Sequence, residues 1–330
     1  MPPPVRRLAP VLVVATLLAF WLASAAAAGN GGLAPPSPAS PNAADIRDIY
    51  WLILLITGAI FVLVEGALFL FVIKYRSKGR PREAEGPQVR GHTNLELAWT
   101  VGPVVILAII AGFVFYKIAG VDNTNAQGAT ATAAEQVRVE GHQFYWEFVY
   151  PNGAISIDTL RLPYNRNVRL QIVSDDVNHS WWVPALNGKR DAIPGKVNYL
   201  SFLPDKLGTF TGQCAEFCGI QHAAMIAHVK VLPRAQYDAF VRTRRSSLLA
   251  LGKETFDGVC AKCHGLAGQG DIGPPIAQSP LLKDRVALAT LLRNGVGQMP
   301  AVGKDWPARQ FVALFAYLNR RFGQGAGSGG

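Results

Sequence analysis

The sequence predicts a multidomain membrane protein: a two-helix transmembrane hairpin, an exported all-β sandwich and a small all-α domain. Three observations carry this. Two long apolar runs flank a basic loop, short β-type segments with turn signals fill residues 136–232, and helical periodicity returns near residue 250. Half of the 330 residues are apolar and 16% are charged, against about 25% in a soluble protein. That excludes a disordered chain and a single soluble globule. The net charge is +10, but Lys and Arg are scattered through loops and a linker rather than gathered in a stripe, so the charge does not read as a nucleic-acid footprint and no nucleic-acid partner is expected.

Residues 1–28 read as a signal peptide. Arg6 and Arg7 precede an apolar run from Leu8 to Leu22, and Ala23-Ser24-Ala25 offers a cleavage site. A third membrane helix is the alternative, and the run is short for one. Residues 29–48, opening on Gly, Ala, Pro and Ser, read as a flexible N-terminal segment. The hairpin occupies 49–119, with helices at 49–73 and 97–117. Lys74, Arg76, Lys78, Arg80, Arg82 and Arg90 hold the connecting loop inside the cell, so everything after about residue 120 lies outside. This places the chain in the plasma membrane as a multi-pass protein with its large domains on the outer, periplasmic side. Glu65 interrupts the first apolar run. A carboxylate there costs on the order of 3 kcal/mol, so it either faces a partner helix or is protonated and locally bonded.

The β-rich stretch, 136–232, carries soft ligands. Cys214-Ala-Glu216-Phe-Cys218-Gly-Ile-Gln-His222-Ala-Ala-Met225 sets two thiols, an imidazole and a thioether in one loop. His179 lies upstream in Val177-Asn-His179-Ser-Trp-Trp-Val-Pro184. Thiolate, thioether and imidazole together suit copper. Zinc would take Cys and His and leave Met225 unexplained. An ordinary Cys214–Cys218 disulfide is the structural alternative.

After a linker at 233–249, with a short helix around Tyr237–Arg242, residues 250–322 carry Cys260-Ala-Lys-Cys263-His264. This is the attachment motif for c-type haem: two thiols for the porphyrin and an imidazole for the iron. Met299, in Gly297-Gln-Met299-Pro300, offers a sixth ligand, and Phe311, Leu314, Phe315 and Leu318 mark one face of a closing helix. Residues 323–330 read as a disordered tail.

From about residue 46 to 232 the chain resembles subunit II of the haem–copper cytochrome oxidases. The hairpin, Gly141-His142-Gln143, His179-Ser180-Trp181, Asp191-Ala-Ile-Pro-Gly195 and the Cys/Glu/Cys/His/Met loop carry the match. Residues 250–322 resemble a class I cytochrome c, so the whole is similar to the caa3 type, whose subunit II carries its own cytochrome. The resemblance implies a cupredoxin fold with a two-copper (CuA) centre. Cys214 and Cys218 would bridge both coppers, and His179 and His222 would each bind one. Met225 and the Glu216 carbonyl would be weak ligands. Met299 would complete His/Met coordination of haem c. The Glu216 carboxylate would reach a magnesium at the subunit I interface, with a solvated loop carboxylate as the alternative. Glu96 would stand near the mouth of a proton path, or be a plain juxtamembrane charge. His142 would be structural.

The implied function is that of an electron-input subunit. Electrons pass from cytochrome c or another donor through haem c and CuA to subunit I, accompanied by subunit III. There oxygen is reduced to water with proton translocation, and no oxygen site lies in this chain. A nitric oxide reductase could use a similar copper subunit, and a copper-delivery protein could use a Cys-x₃-Cys pair with one exchangeable copper. One departure stands out. The family's Trp-Tyr-Trp run, whose first Trp takes electrons from mobile cytochrome c, reads here Phe144-Tyr145-Trp146. A haem domain on a flexible tether would compensate by raising the local donor concentration.

Overall fold

The first two helices are apolar on every side, which fits a lipid environment rather than a protein core. In this computed structural model, which describes residues 34–76, 88, 90–121 and 135–322, they are α1 (Pro41–Lys74) and α2 (Thr93–Val121). At 34 and 29 residues, both exceed the roughly 20 needed to span a bilayer. The expected signal peptide, most of the basic loop and the tail lie outside the described residues. The hairpin forms one compact unit, and residues 37–43 with 121–330 form the other.

Both helices are longer than the sequence predicts, and local chemistry explains it. Ser40 accepts the Ala43 N–H at 3.0 Å and Pro41 opens the helix, a cap–proline start that moves it ahead of the apolar run. At α2, His92 Nδ1 accepts the Leu95 N–H at 3.2 Å while Glu96 Oε1 accepts the His92 N–H at 3.1 Å, a reciprocal cap. Lys117, in the C-terminal part of α2, pairs with Asp45 at 2.8 Å and Asp48 at 2.6 Å on α1, joining the two helices. Glu65 is exposed on α1.

Ten strands follow: β1 (Glu135–His142), β2 (Tyr145–Val149), β3 (Ile155–Ile157), β4 (Thr159–Pro163), β5 (Val168–Ser174), β6 (His179–Trp182), β7 (Arg190–Ala192), β8 (Asn198–Phe202), β9 (Gly208–Cys214) and β10 (Ile226–Leu232). They make two five-stranded sheets, ordered β3-β2-β1-β5-β8 and β4-β10-β9-β6-β7. The β1/β5 and β4/β10 pairs are parallel and the others antiparallel. Alternation sets the packing: Val137 and Val139 on β1, and Ala227, Val229 and Val231 on β10, point inward while His228 and Lys230 stay exposed. Trp146, Phe148 and Trp181 fill the space between the sheets. Burying each large apolar side chain contributes roughly 1.5–3 kcal/mol.

The N-terminal segment is not free along its whole length. Ala39 is fully buried in this core, donates to Ala185 O at 2.7 Å and accepts from Asp205 N at 3.0 Å. Pairing of this short edge corrects the expectation of a flexible 29–48.

The remaining helices are α3 (Arg234–Arg244), α4 (Leu248–Thr255), α5 (Ala261–His264), α6 (Arg285–Asn294) and α7 (Ala308–Phe322). A π-turn over Phe256–Cys260 joins α4 to α5. Gly252 lets α4 and α7 touch, since a Cβ there would fall 2.6 Å from Ala313 C. The expected flexible tether is instead α3, packed down. Tyr237 is buried with its hydroxyl 2.6 Å from Glu135, and Arg244 donates to Ile155 O at 2.8 Å and pairs with Glu254 at 2.6 Å. Ion pairs and an aromatic anchor outweigh the Arg- and Ser-rich composition that suggested freedom.

Candidate copper and haem sites

The copper-type ligands converge because β6 and β9 are neighbours. Trp181 stands opposite Cys214, which carries His179 to the mouth of the loop between β9 and β10. Cys214 N–H donates to Met225 O at 3.0 Å and closes that loop, and Ala215 N–H donates to Ser180 O at 2.9 Å and ties it to β6. Cys214 Sγ lies 3.8 Å from His179 Nδ1 and 4.0 Å from Cys218 Sγ. Cys218 Sγ lies 3.5 Å from His222 Nδ1 and 3.8 Å from Met225 Sδ. The Glu216 carbonyl is 3.2 Å from Cys214 Sγ, while the residue itself is exposed. Both thiols are free, so the disulfide alternative is not the state seen. Two sulfurs flanked by one imidazole each, with a thioether and a carbonyl beyond them, fit a pair of copper ions. Burial pushes the Cys214 thiol up, but the hydrogen bond with His179, those with the Glu216 and Ser180 backbone and the His179 charge together outweigh it and bring the thiol down to about 7. Burial and the neighbouring Cys214 charge push Cys218 up.

Two supporting residues escaped the sequence reading. Asp176 Oδ1 lies 2.9 Å from His179 Nε2, which turns Nδ1 toward the sulfurs. Burial pushes the Asp176 carboxyl up, but hydrogen bonds from His179 and from the Val177 and Gln143 N–H groups hold it below its ordinary value. Gln143 Nε2 donates to Cys218 O at 2.6 Å. A carboxylate three residues before His179 was the available signal for Asp176; Gln143 stood in the Gly141-His142-Gln143 motif, which gave it no role at the copper loop. Gly141 is required by contact, since a Cβ there would fall 2.9 Å from the His179 ring.

The haem-type ligands surround a cavity of about 490 Å³. Cys260, Cys263 and His264 form one wall, Met299 another, and Leu282, Leu292, Leu314 and Leu318 make the lining apolar. His264 Nδ1 lies 2.6 Å from Pro274 O, so its tautomer is set and Nε2 is left for a metal. Met299 is held in a tight turn by paired hydrogen bonds with Val296, 3.0 and 3.1 Å long. Donor set, volume and apolar lining fit a covalently attached haem with two axial ligands.

Phe144, Gln143 and Ile220 of the β-domain also line this cavity. Lys262, inside the attachment motif, donates to Phe144 O at 2.8 Å and pairs with Asp158 at 2.5 Å. The patch that departs from the family pattern is therefore held against the chain's own helical domain.

Comparisons with known proteins agree by region. Residues 28–116 match the cytochrome c oxidase subunit II transmembrane domain, 155–232 match its periplasmic domain, and 247–318 match the cbb3-type cytochrome c oxidase subunit III family. Cytochrome c oxidase subunit 2 of Alkalihalophilus pseudofirmus is 31% identical over 287 residues, covering 84% of this chain and 83% of that protein. The Thermostichus vulcanus protein of the same name is 30% identical, covering 71% of this chain and 84% of that one. The periplasmic domain of subunit II of cytochrome oxidase from Bradyrhizobium japonicum is 29% identical, covering 34% of this chain and 94% of that chain, with a TM-score of 0.33. With a transmembrane hairpin, a cupredoxin-like domain and a cytochrome c domain in one chain, the protein belongs to the cytochrome c oxidase subunit II family.

Proposed function

We propose that the chain is the electron-input subunit of a caa3-type haem–copper oxidase. When bound, haem c and the two-copper centre carry electrons singly from an upstream donor toward subunit I, where oxygen is reduced to water with proton translocation. Cys260 and Cys263 would anchor the haem, and His264 and Met299 would supply ligands to its iron. Cys214, Cys218, His179, His222, Met225 and the Glu216 carbonyl would hold the coppers. A rigid β scaffold limits reorganisation, and with every donor assigned no position is left for bond chemistry. The Glu216 carboxylate, exposed at the loop surface, would hold magnesium with subunit I. Glu96 would serve the inner proton path as well as capping α2. The exposed apolar surface of the hairpin would bury against subunits I and III.

One observation carries the reading: Gln143 lines the haem-type cavity and also donates to the Cys218 carbonyl, so the two ligand sets are a single side chain apart. Rapid mixing of the oxidase complex with a reduced donor tests it. The haem c absorbance should change before the copper absorbance. A C260S/C263S variant that keeps its copper should lose most turnover, and unchanged turnover would count against the reading.

A further inference from the structure

A second group of metal-ligating side chains stands apart from both centres. Glu140 and His142 sit at the end of β1, and Asp175 follows β5. One ligand atom from each lies within 4.8 Å of the others. His142 is 7% exposed, and its Nε2 is buried with no hydrogen-bond partner. Glu140 Oε2 lies 3.6 Å away, within ion-pair range but too far for a hydrogen bond. Stacking on Tyr145, with centroids 4.8 Å apart, fixes the imidazole plane. His142 and Asp175 open on a cavity of about 200 Å³, walled on the far side by Lys304 and Asp305 of the helical domain.

We propose that Glu140, His142 and Asp175 bind a divalent cation of the zinc class at the junction of the two exported domains. One imidazole and two carboxylates suit a borderline cation. Two donors 3.6 Å apart, each roughly 2.1 Å from a metal, subtend about 118° there, near the tetrahedral value. The cavity side is left for a fourth ligand. The charge around the group favours a cation: Glu140, Asp175, Asp176 and Asp305 outnumber Arg138 and Lys304. Asp176 is already engaged by His179, and Arg138 holds the other oxygen of Glu140, which leaves Oε2 toward His142.

Zinc titrated into the full-length protein, loaded with copper and haem, should add one saturable equivalent per chain by calorimetry and elemental analysis. H142Q and D175N should each weaken that uptake at least tenfold while retaining copper and haem. X-ray absorption at the zinc edge should show nitrogen and oxygen neighbours only, which reads the site in the parent chain even where a substitution disturbs folding. No saturable equivalent in the parent, sulfur in the zinc shell, or undiminished uptake by both variants would overturn the site.

Discussion

Asp176 shows how much of the candidate copper site rests on a residue outside the proposed ligand set. It accepts hydrogen bonds from the Gln143 and Val177 N–H groups, both 2.6 Å long, and engages His179 Nε2. Asn in its place keeps the shape and loses the charge. D176N should lower copper affinity about 10- to 100-fold, read by competition with a chelator. On the haem side, M299A should open an axial position. Carbon monoxide should then bind the ferrous haem, and the reduction potential should fall. Sequence reasoning singled out Met299 and the soft donors that the fold gathers at the candidate copper site because such side chains are scarce in this chain and stand at telling spacings. It did not reach Asp176 because a carboxylate before a histidine is common on any surface.

At the level of elements, tight contacts decide positions that composition leaves open. α4 and α7 meet at Gly252, where a side chain would enter the backbone of Ala313. G252V should cost about 2 kcal/mol or more and lower the thermal midpoint of the haem domain, followed by calorimetry. The closing helix was legible because Phe311, Leu314 and Leu318 repeat with its period and are buried. Strands β6 and β9 were not, because His179-Ser180 and the Thr-Gly-Gln stretch before Cys214 replace apolar alternation with residues the site needs. The helix starts at Ser40 and His92 were missed because caps lie outside the apolar run that defines a helix in sequence.

For the exported part as a whole, the domains share a core. Tyr145, Ile155 and Ile157 of the first sheet are buried in one cluster with Phe256, Trp306 and Leu314. Tyr145 donates to Val302 O and accepts from Trp306 Nε1, both at 2.8 Å, and Gln310 donates to Glu147 at 3.0 Å. Y145F would leave Trp306 unsatisfied and should cost about 1–3 kcal/mol in docking, seen as easier proteolysis between the domains. These partners lie more than 150 residues apart in the chain, and no local pattern announces them. Asp158 adds a pH term. Burial pushes its carboxyl up to about 6, against the pull of Lys262. Stability from this group is full below about 4 and lost as pH rises through about 6. The parent chain should therefore lose roughly 3 kcal/mol across that window relative to D158N, measured by denaturant unfolding at each pH.

Lys262, held at Phe144 and Asp158 within its own chain, has a kinetic corollary. A donor that is already seated needs no long-range attraction to find its acceptor, so added potassium chloride should leave the proposed internal haem-to-copper step unchanged. Any ionic-strength dependence of respiration would then belong to the earlier collision, on whatever face of the helical domain meets the outside reductant.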